Sequence, residues 1–297
     1  MTPIKLIESL QVDFLTDEPM SRHTSFKIGG PADILAMPKT SDELIKIWNT
    51  CKSQNIPITI LGDGANVLVA DTGIRGVVVF TNKMNDMEIL EGEKIRAQSG
   101  ARLSALAEKA CKSTLAGLAF ASGIPGTVGG AIYMNAGAYG HDIKDFCESV
   151  TLFANGEVVT KTNAEMQFGY RKSLAQTGEM LILDATFQLS QGDTDQIREE
   201  MKDLNARRRK TQPLEYHSAG SFFKRPEGHF AGKLIQDSGL KGFAVNDAQV
   251  SEKHAGFVVN KGSATAADVL ALMQHVQQKV YNDFKVHLEP EVRILGL

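Results

Sequence analysis

Apolar positions fall at helical period in four stretches of the chain. Leu44, Ile47, Trp48 and Cys51 form the first, and Thr40 with Glu43 three positions later has the spacing of a capping box, so a helix is expected to begin at Thr40. Leu103, Leu106, Ala107 and Ala110 mark a second helix. Ile197, Met201 and Leu204 stripe a polar one that runs into Arg207-Arg208-Arg209-Lys210. Val269, Leu272, Met273, Val276 and Val280 form the apolar face of a fourth, capped by Thr265 and Asp268. Strand patterns lie between them. Ile58–Leu61 and Val77–Phe80 are short apolar runs, Leu181–Leu189 alternates, and Gly256–Asn260 reads as a strand. Asn155-Gly156 between two such runs predicts a hairpin, because a type I′ turn needs positive φ at both central residues.

Two segments break these periods with glycine. One is Leu61-Gly62-Asp63-Gly64-Ala65-Asn66-Val67-Leu68, which follows a helix and a strand. The other runs from Gly123 to Gly140 and holds Gly126, Gly129, Gly130 and Gly137. Glycine costs roughly 0.5–1 kcal/mol against alanine inside a helix or strand. Such density therefore predicts irregular backbone that comes close to something else. Two glycine loops on one chain suggest a large anion, such as a dinucleotide, held at two places by main-chain N–H groups. Neither loop is the G-x-G-x-x-G of a Rossmann site or a Walker sequence.

Composition narrows the class. With 297 residues, 42% of them hydrophobic and 23% charged, the chain has material for two or three domains and an ample core. Its net charge of −3 gives no reason to expect nucleic-acid binding. Cys51, Cys111 and Cys147 are odd in number and far apart, which argues against a disulfide framework or a cysteine metal site and for a reducing compartment, the cytoplasm. No run is long enough for a membrane span, and Met1–Asp13 does not read as a signal peptide. The seven histidines show no metal-ligand spacing, so no metal is expected. Taken one at a time, Ser221 reads as a turn residue outside any G-x-S-x-G, Glu291 as a solvated charge and Arg171 as a surface arginine.

Taken together, the segments carry a resemblance. Thr24–Ala32 (TSFKIGGPA), Leu61–Leu68, Ser122–Ala131 (SGIPGTVGGA), Asn135–Gly140 (NAGAYG), Tyr170–Ser173 (YRKS), Ala219–Lys224 (AGSFFK), Ala231–Ile235 (AGKLI) and Glu289–Arg293 (EPEVR) follow one another in order over nearly the whole chain. In this the chain resembles the UDP-N-acetylenolpyruvoylglucosamine reductases, flavoenzymes of peptidoglycan precursor synthesis.

The resemblance implies an α+β protein with a two-subdomain FAD-binding region of the vanillyl-alcohol-oxidase (PCMH) type and a C-terminal α/β substrate domain. Residues 1–70, with 291–297 returning to them, would form the first FAD subdomain, 71–190 the second, and 191–290 the substrate domain. The polar stretch Ser190–Asp193 marks that last boundary. It implies non-covalent FAD cradled by Gly62, Asp63, Gly64, Ala65, Asn66, Gly123, Gly126, Thr127, Gly129, Gly130 and Gly137. It also implies reduction of an enolpyruvyl ether on a UDP-sugar to a lactyl ether at the expense of NADPH.

On this likeness Arg171 stabilises developing charge, Ser221 donates the proton and Glu291, protonated, hydrogen-bonds the substrate carboxylate. Tyr170, Lys224 and Arg225 bind substrate. Small molecules are thus the expected partners, with no nucleic acid or membrane, and a monomer is expected.

Three departures from the family pattern stand out. Ala65 replaces the usual serine of the first loop. Lys224-Arg225-Pro226 replaces Lys-Asn-Pro. The short span after Arg171 indicates the branch without a tyrosine-bearing lid. Arg208 and His254 remain as cations that could approach phosphate, without an assigned role. A sugar or alcohol oxidase on the same cofactor fold, or a non-catalytic flavin module, is the alternative.

Overall fold

The structure is a computed structural model and describes residues 2–297. Helix α1 (Pro3–Glu8) is followed by strands β1 (Phe14–Pro19) and β2 (Pro31–Ala36), helix α2 (Ser41–Ser53), and strands β3 (Ile58–Leu61), β4 (Val67–Val69) and β5 (Ile74–Phe80). Then come β6 (Met87–Leu90), β7 (Lys94–Gln98), α3 (Leu103–Lys112), β8 (Leu115–Ala116), α4 (Val128–Met134), β9 (Gly137–Ala138) and β10 (His141–Asp142). The hairpin β11 (Cys147–Ala154) and β12 (Glu157–Thr162) leads to β13 (Met180–Gln188), β14 (Ser190–Gln191) and α5 (Thr194–Thr211). The remainder holds β15 (His217–Ser221), α6 (Ala231–Asp237), β16 (Ala244–Val245), β17 (Ala248–Val250), β18 (Phe257–Asn260), α7 (Ala266–Phe284) and β19 (Arg293–Leu295).

The chain forms two compact units. The first comprises Met1–Phe14, Ala36–Asp63 and Val78–Arg208, and the second Leu15–Leu35, Gly64–Val77 and Arg209–Leu297.

In the first unit an antiparallel sheet of order β12-β11-β13-β7-β6 is covered by α3 and α4. The β11–β12 turn has Asn155 at φ 53° and Gly156 at φ 85°, the left-handed pair that its sequence demands. Leu103, Leu106 and Ala107 of α3 and Val128 and Ile132 of α4 bury their side chains with Ile95, Val150, Leu152 and Phe187 of the sheet. Ile197 of α5 is buried, and Met201 and Leu204 pack on the same core, so the helix after the polar stretch at 190–193 belongs to this unit as far as Arg208.

In the second unit β15-β18-β17-β16 form an antiparallel sheet against α6 and α7. The α7 stripe Val269, Leu272, Val276 and Val280 is fully buried. The capping box of Thr265 and Asp268 is present, and Asp71 adds two acceptors, to the N–H groups of Ala266 at 2.8 Å and Ala267 at 2.9 Å. β19 lies parallel to β4, Arg293 opposite Val67.

Two local expectations need correction. Glu43 does not complete the box at Thr40; its carboxylate accepts from the Lys39 N–H at 2.7 Å. The second glycine segment is not wholly irregular either. Val128–Met134 is a short helix with Gly129 and Gly130 inside it. Gly129 is there for clearance: a Cβ on it would lie 2.9 Å from the Ser99 Cβ, since the first turn of α4 runs against the backbone of 99–101, whereas one on Gly130 would meet only Thr127 Oγ1 at 3.7 Å. The Gly129 N–H donates to the Ser99 carbonyl at 2.7 Å, and that of Val128 to the Ala101 carbonyl at 2.8 Å.

Candidate cofactor and active site

The first glycine loop joins two strands, β3 and β4. Its beginning and the second glycine segment meet in the first unit. A Cβ on Gly62 would sit 2.1 Å from Thr127 Oγ1, so glycine is what lets the chain at 62 lie against the Thr127 side chain. Thr127 is buried, caps α4 through a 3.5 Å bond from the Gly130 N–H and bridges to Arg102. Gly126 precedes it at φ 124°, a conformation that side chains disfavour. Asp63 is neutralised by Arg102, Nε to Oδ2 at 3.0 Å, which removes a negative charge that would otherwise repel an anion. Ser99 is buried, and among the described residues its hydroxyl has no hydrogen-bond partner. Nothing in the sequence around Ser99 announces a functional residue; only its position beside Gly129 does.

This donor set fits the pyrophosphate of FAD. It offers an idle buried hydroxyl, glycines that a Cβ would crowd, and a carboxylate already compensated. Gly137 also serves the local fold. A Cβ there would lie 1.8 Å from Asp142 Oδ1, so this glycine admits the β9–β10 turn.

Arg171 lies beside the tail of the same segment. Its guanidinium donates to the carbonyls of Asn135 at 3.4 Å and Gly137 at 3.5 Å, and stands 4.0 Å from Asp142. Its backbone is left-handed, φ 55°, which is costly for an arginine. The fold over-determines it: Gln176 Nε2 donates to the Arg171 carbonyl at 3.0 Å and to that of Tyr133 at 2.6 Å, and Gly169 bridges Lys172. Asn135, fully buried, donates to the Gly169 carbonyl at 2.9 Å. The Arg171 side chain is only 18% exposed, so it is not the surface arginine that its local sequence suggests. Tyr170 is exposed, with the Arg171 guanidinium over its ring.

In the second unit the segments of Ser221 and Glu291 are neighbours. The Glu291 N–H donates to the Phe222 carbonyl at 2.8 Å, that of Lys224 to the Glu289 carbonyl at 2.9 Å, and Phe223 bridges Pro290. Phe222 and Phe223 anchor this ribbon in the core. Gly220 stands at φ 78°, where β15 shifts register against β18 between Ser218 and Ser221. Asn66 Nδ2 donates to the Glu291 carbonyl at 3.1 Å, and the Asn66 carbonyl accepts from the Arg293 N–H at 3.0 Å. Asn66 therefore ties the first loop to the Glu291 strand, a second use for a residue that the sequence puts with the cofactor. Gly64, at φ 60°, is held where a Cβ would strike the His23 carbonyl at 2.4 Å; its own carbonyl accepts from the Ser25 N–H. Ala65 is partly exposed beside it.

Lys224 pairs with Glu289 at 3.1 Å, and Arg225 stacks over Phe230 at 4.5 Å. His254 takes the Gly256 N–H on Nδ1 at 3.1 Å, and burial, with Lys241 adding to it, holds its pKa below the ordinary histidine value. Among the described residues no group of His, Cys, Asp and Glu is arranged to hold a metal, and no helix is long and apolar enough to cross a membrane. The three cysteines are buried as free thiols, and burial pushes Cys147 up to about 12.

Residues 32–162 match a family model described as an FAD binding domain, and residues 212–295 match the C-terminal domain of UDP-N-acetylenolpyruvoylglucosamine reductase. The chain is 51% identical over 281 residues to the UDP-N-acetylenolpyruvoylglucosamine reductase of Caldanaerobacter subterraneus, covering 94% of this chain and 93% of that one. It is 50% identical over 295 residues to that of Clostridium kluyveri, covering 99% and 97%. The crystal structure of the reductase from Thermus caldophilus superposes with a TM-score of 0.81 at 33% identity, covering 96% of this chain and 99% of that one.

Proposed function

The chain belongs to the UDP-N-acetylenolpyruvoylglucosamine reductase family, and from that premise we propose that it reduces the enolpyruvyl ether of a UDP-N-acetylsugar with NADPH, in peptidoglycan precursor synthesis. The observation that carries this reading is likeness along the entire chain, at 50–51% identity to proteins of that name. FAD, when bound, supplies the hydride acceptor and donor between NADPH and the enolpyruvyl carbon.

The residues of the chain do the rest. Gly62, Asp63, Gly64, Ala65 and Asn66, with Gly123, Gly126, Thr127, Gly129, Gly130 and Gly137, line the cradle that would hold and orient the cofactor. Arg171 stabilises the negative charge that develops on the α-carbon and its carboxylate, and its guanidinium stays cationic in any surroundings. Ser221 delivers a proton to the α-carbon, so that hydride and proton together saturate the double bond. Glu291, protonated, donates a hydrogen bond to the substrate carboxylate. Tyr170, Lys224 and Arg225 bind the sugar nucleotide, the arginine through the fork that suits phosphate oxygens.

The domain plan carried by this reading keeps 1–70 with 291–297 and 71–190 for the cofactor and 191–290 for the substrate. The protein would act as a monomer in the cytoplasm, and sedimentation tests the first of these. The principal test is an assay of NADPH consumption by purified, yellow protein. Oxidation that requires the enolpyruvyl sugar nucleotide is expected. Consumption indifferent to that substrate, with rapid peroxide formation in air, would overturn the proposal in favour of an oxidase.

A further inference from the structure

Helix α4 ends on Asn135, which stands in the left-handed region at φ 43° and ψ 61°. Glycine is the usual residue at such a helix end, since it adopts that conformation at no steric cost. Asparagine brings an amide instead, and Asn135 is fully buried, which is costly for an amide unless it is hydrogen-bonded. Both ends of the amide are bonded. Nδ2 donates to the Gly169 carbonyl at 2.9 Å, and Oδ1 accepts from the Lys144 N–H at 3.0 Å. These partners lie 34 and 9 positions away, so the amide serves the tertiary structure rather than its own helix end.

The segment it grips is the one that carries Arg171. Gly169 and Lys172 close a tight turn on each other: the Gly169 N–H donates to the Lys172 carbonyl at 2.9 Å, and the Lys172 N–H to the Gly169 carbonyl at 3.2 Å. Tyr170 and the left-handed Arg171 form the tip of that turn. Asn135 Nδ2 bolts the turn at its base. The main-chain carbonyl of Asn135 takes the other end of Arg171, accepting from Nη1 of the guanidinium at 3.4 Å. One buried residue thus fixes both where the Arg171 backbone stands and which way its side chain points. From the far side Gln176 Nε2 donates to the Arg171 carbonyl at 3.0 Å. It shares the Tyr133 carbonyl with the fully buried Ser173, whose Oγ donates there at 2.9 Å.

We propose that Asn135, seconded by Gln176, is a positioning residue for the reaction, presenting the Arg171 guanidinium to the charge that develops on the substrate. This rests on the family reading, which gives Arg171 its role. A cation held in place beforehand stabilises developing charge without reorienting as the reaction proceeds. Displacing such a group by about 1 Å costs on the order of 10²-fold in rate. Asn135 acts through Arg171 alone, which explains why the fold buries an amide where a glycine would suit the backbone.

The test follows the two half-reactions of the holoprotein separately, by flavin absorbance after rapid mixing. Asn135→Gly keeps the left-handed backbone and its carbonyl and deletes only the amide. It should slow reoxidation of the reduced flavin by the enolpyruvyl sugar nucleotide by about 10–100-fold, with FAD content and flavin reduction by NADPH near wild type. Added to Arg171→Ala it should slow that step no further, because a residue that acts through a guanidinium has nothing to act on once the guanidinium is gone. Gln176→Ala leaves Ser173 on the Tyr133 carbonyl and removes the bond to the Arg171 carbonyl. It should show the same pattern with a smaller loss, about 3–10-fold, and it carries the test if Asn135→Gly does not fold.

Reoxidation at the wild-type rate in both single variants would overturn the inference. So would losses that multiply when either variant is combined with Arg171→Ala, or equal slowing of both half-reactions, the marks of a residue that merely holds the fold. Wild-type protein whose reduced flavin is not reoxidised by the sugar nucleotide would defeat the family reading and take this inference with it.

Discussion

Gly62 with Thr127 in the first unit, and Ser221 with Glu291 in the second, put opposite constraints on the chain. The first pair works by absent atoms. Gly62 has no Cβ because Thr127 Oγ1 occupies its place at 2.1 Å, and the neighbouring Gly129 clears Ser99 in the same way. In the proposed function the second pair would work by atoms present, a hydroxyl and a carboxyl carried on a backbone ribbon that Phe222, Phe223 and the Glu291-to-Phe222 bond hold without them. A backbone cradle therefore fails when an atom is added, and its failure should cost the cofactor. A side chain on a pre-built frame fails when an atom is removed, and its failure should cost a chemical step while the fold survives.

The harshest way to break this comparison is to add one carbon. Gly62→Ala is expected to loosen FAD by about 100-fold or more, giving colourless protein, because the new Cβ and Thr127 Oγ1 cannot coexist and Thr127 is pinned as the α4 cap. Removing the clashing oxygen with Thr127→Ala in the same chain should recover part of the affinity. A yellow Gly62→Ala protein with wild-type affinity would show that the loop yields and that the cradle is softer than argued.

Ser221→Ala is the counterpart. The substrate-dependent reoxidation of the flavin should slow by about 10²–10⁴-fold, the usual worth of a general acid, while FAD content and flavin reduction by NADPH stay near wild type in stopped-flow measurement. Equal slowing of both half-reactions would remove Ser221 from proton transfer.

Asn66 sharpens the boundary between the two. If its amide serves chiefly to hold the Glu291 carbonyl, Asn66→Ala should lower turnover by roughly 10-fold, the order of one lost hydrogen bond, with FAD retained. Loss of FAD with unchanged turnover in the remaining holoprotein would return Asn66 to the cofactor side.

The smallest effect concerns His254 in the second unit. Its folded pKa is depressed by burial, so the unfolded chain binds more protons in the window just below the ordinary histidine pKa. Stability should be full above about pH 6.5 and fall as the pH drops through the depressed value, when protonation of Nδ1 also breaks its bond from the Gly256 N–H. His254→Gln should flatten the melting temperature between pH 7.5 and 5, and an unchanged slope would show that another group carries it.

Wherever one element explains itself, the sequence was sufficient. The α7 stripe and its Thr265–Asp268 box, the Asn155-Gly156 turn and the α3 stripe all depend on residues within a turn or two of one another, and each appears where its local chemistry demands. The succession of motifs was likewise enough to name the family and its cofactor. The glycine segments show where such reading stops. Their density reports that the backbone needs room but not what fills it: Thr127 for Gly62, Ser99 for Gly129, Asn205 for Gly123, Asp142 for Gly137. For the same reason the glycine density over α4 predicts irregular backbone where the chain is helical. Arg171 reads as a surface arginine from its local sequence, and only its bonds to the Asn135 and Gly137 carbonyls show otherwise. Local periodicity is a property of bonded neighbours and can be read along the chain. Clearance, desolvation and pairing belong to residues tens of positions apart, and they exist only once the fold has brought those residues together.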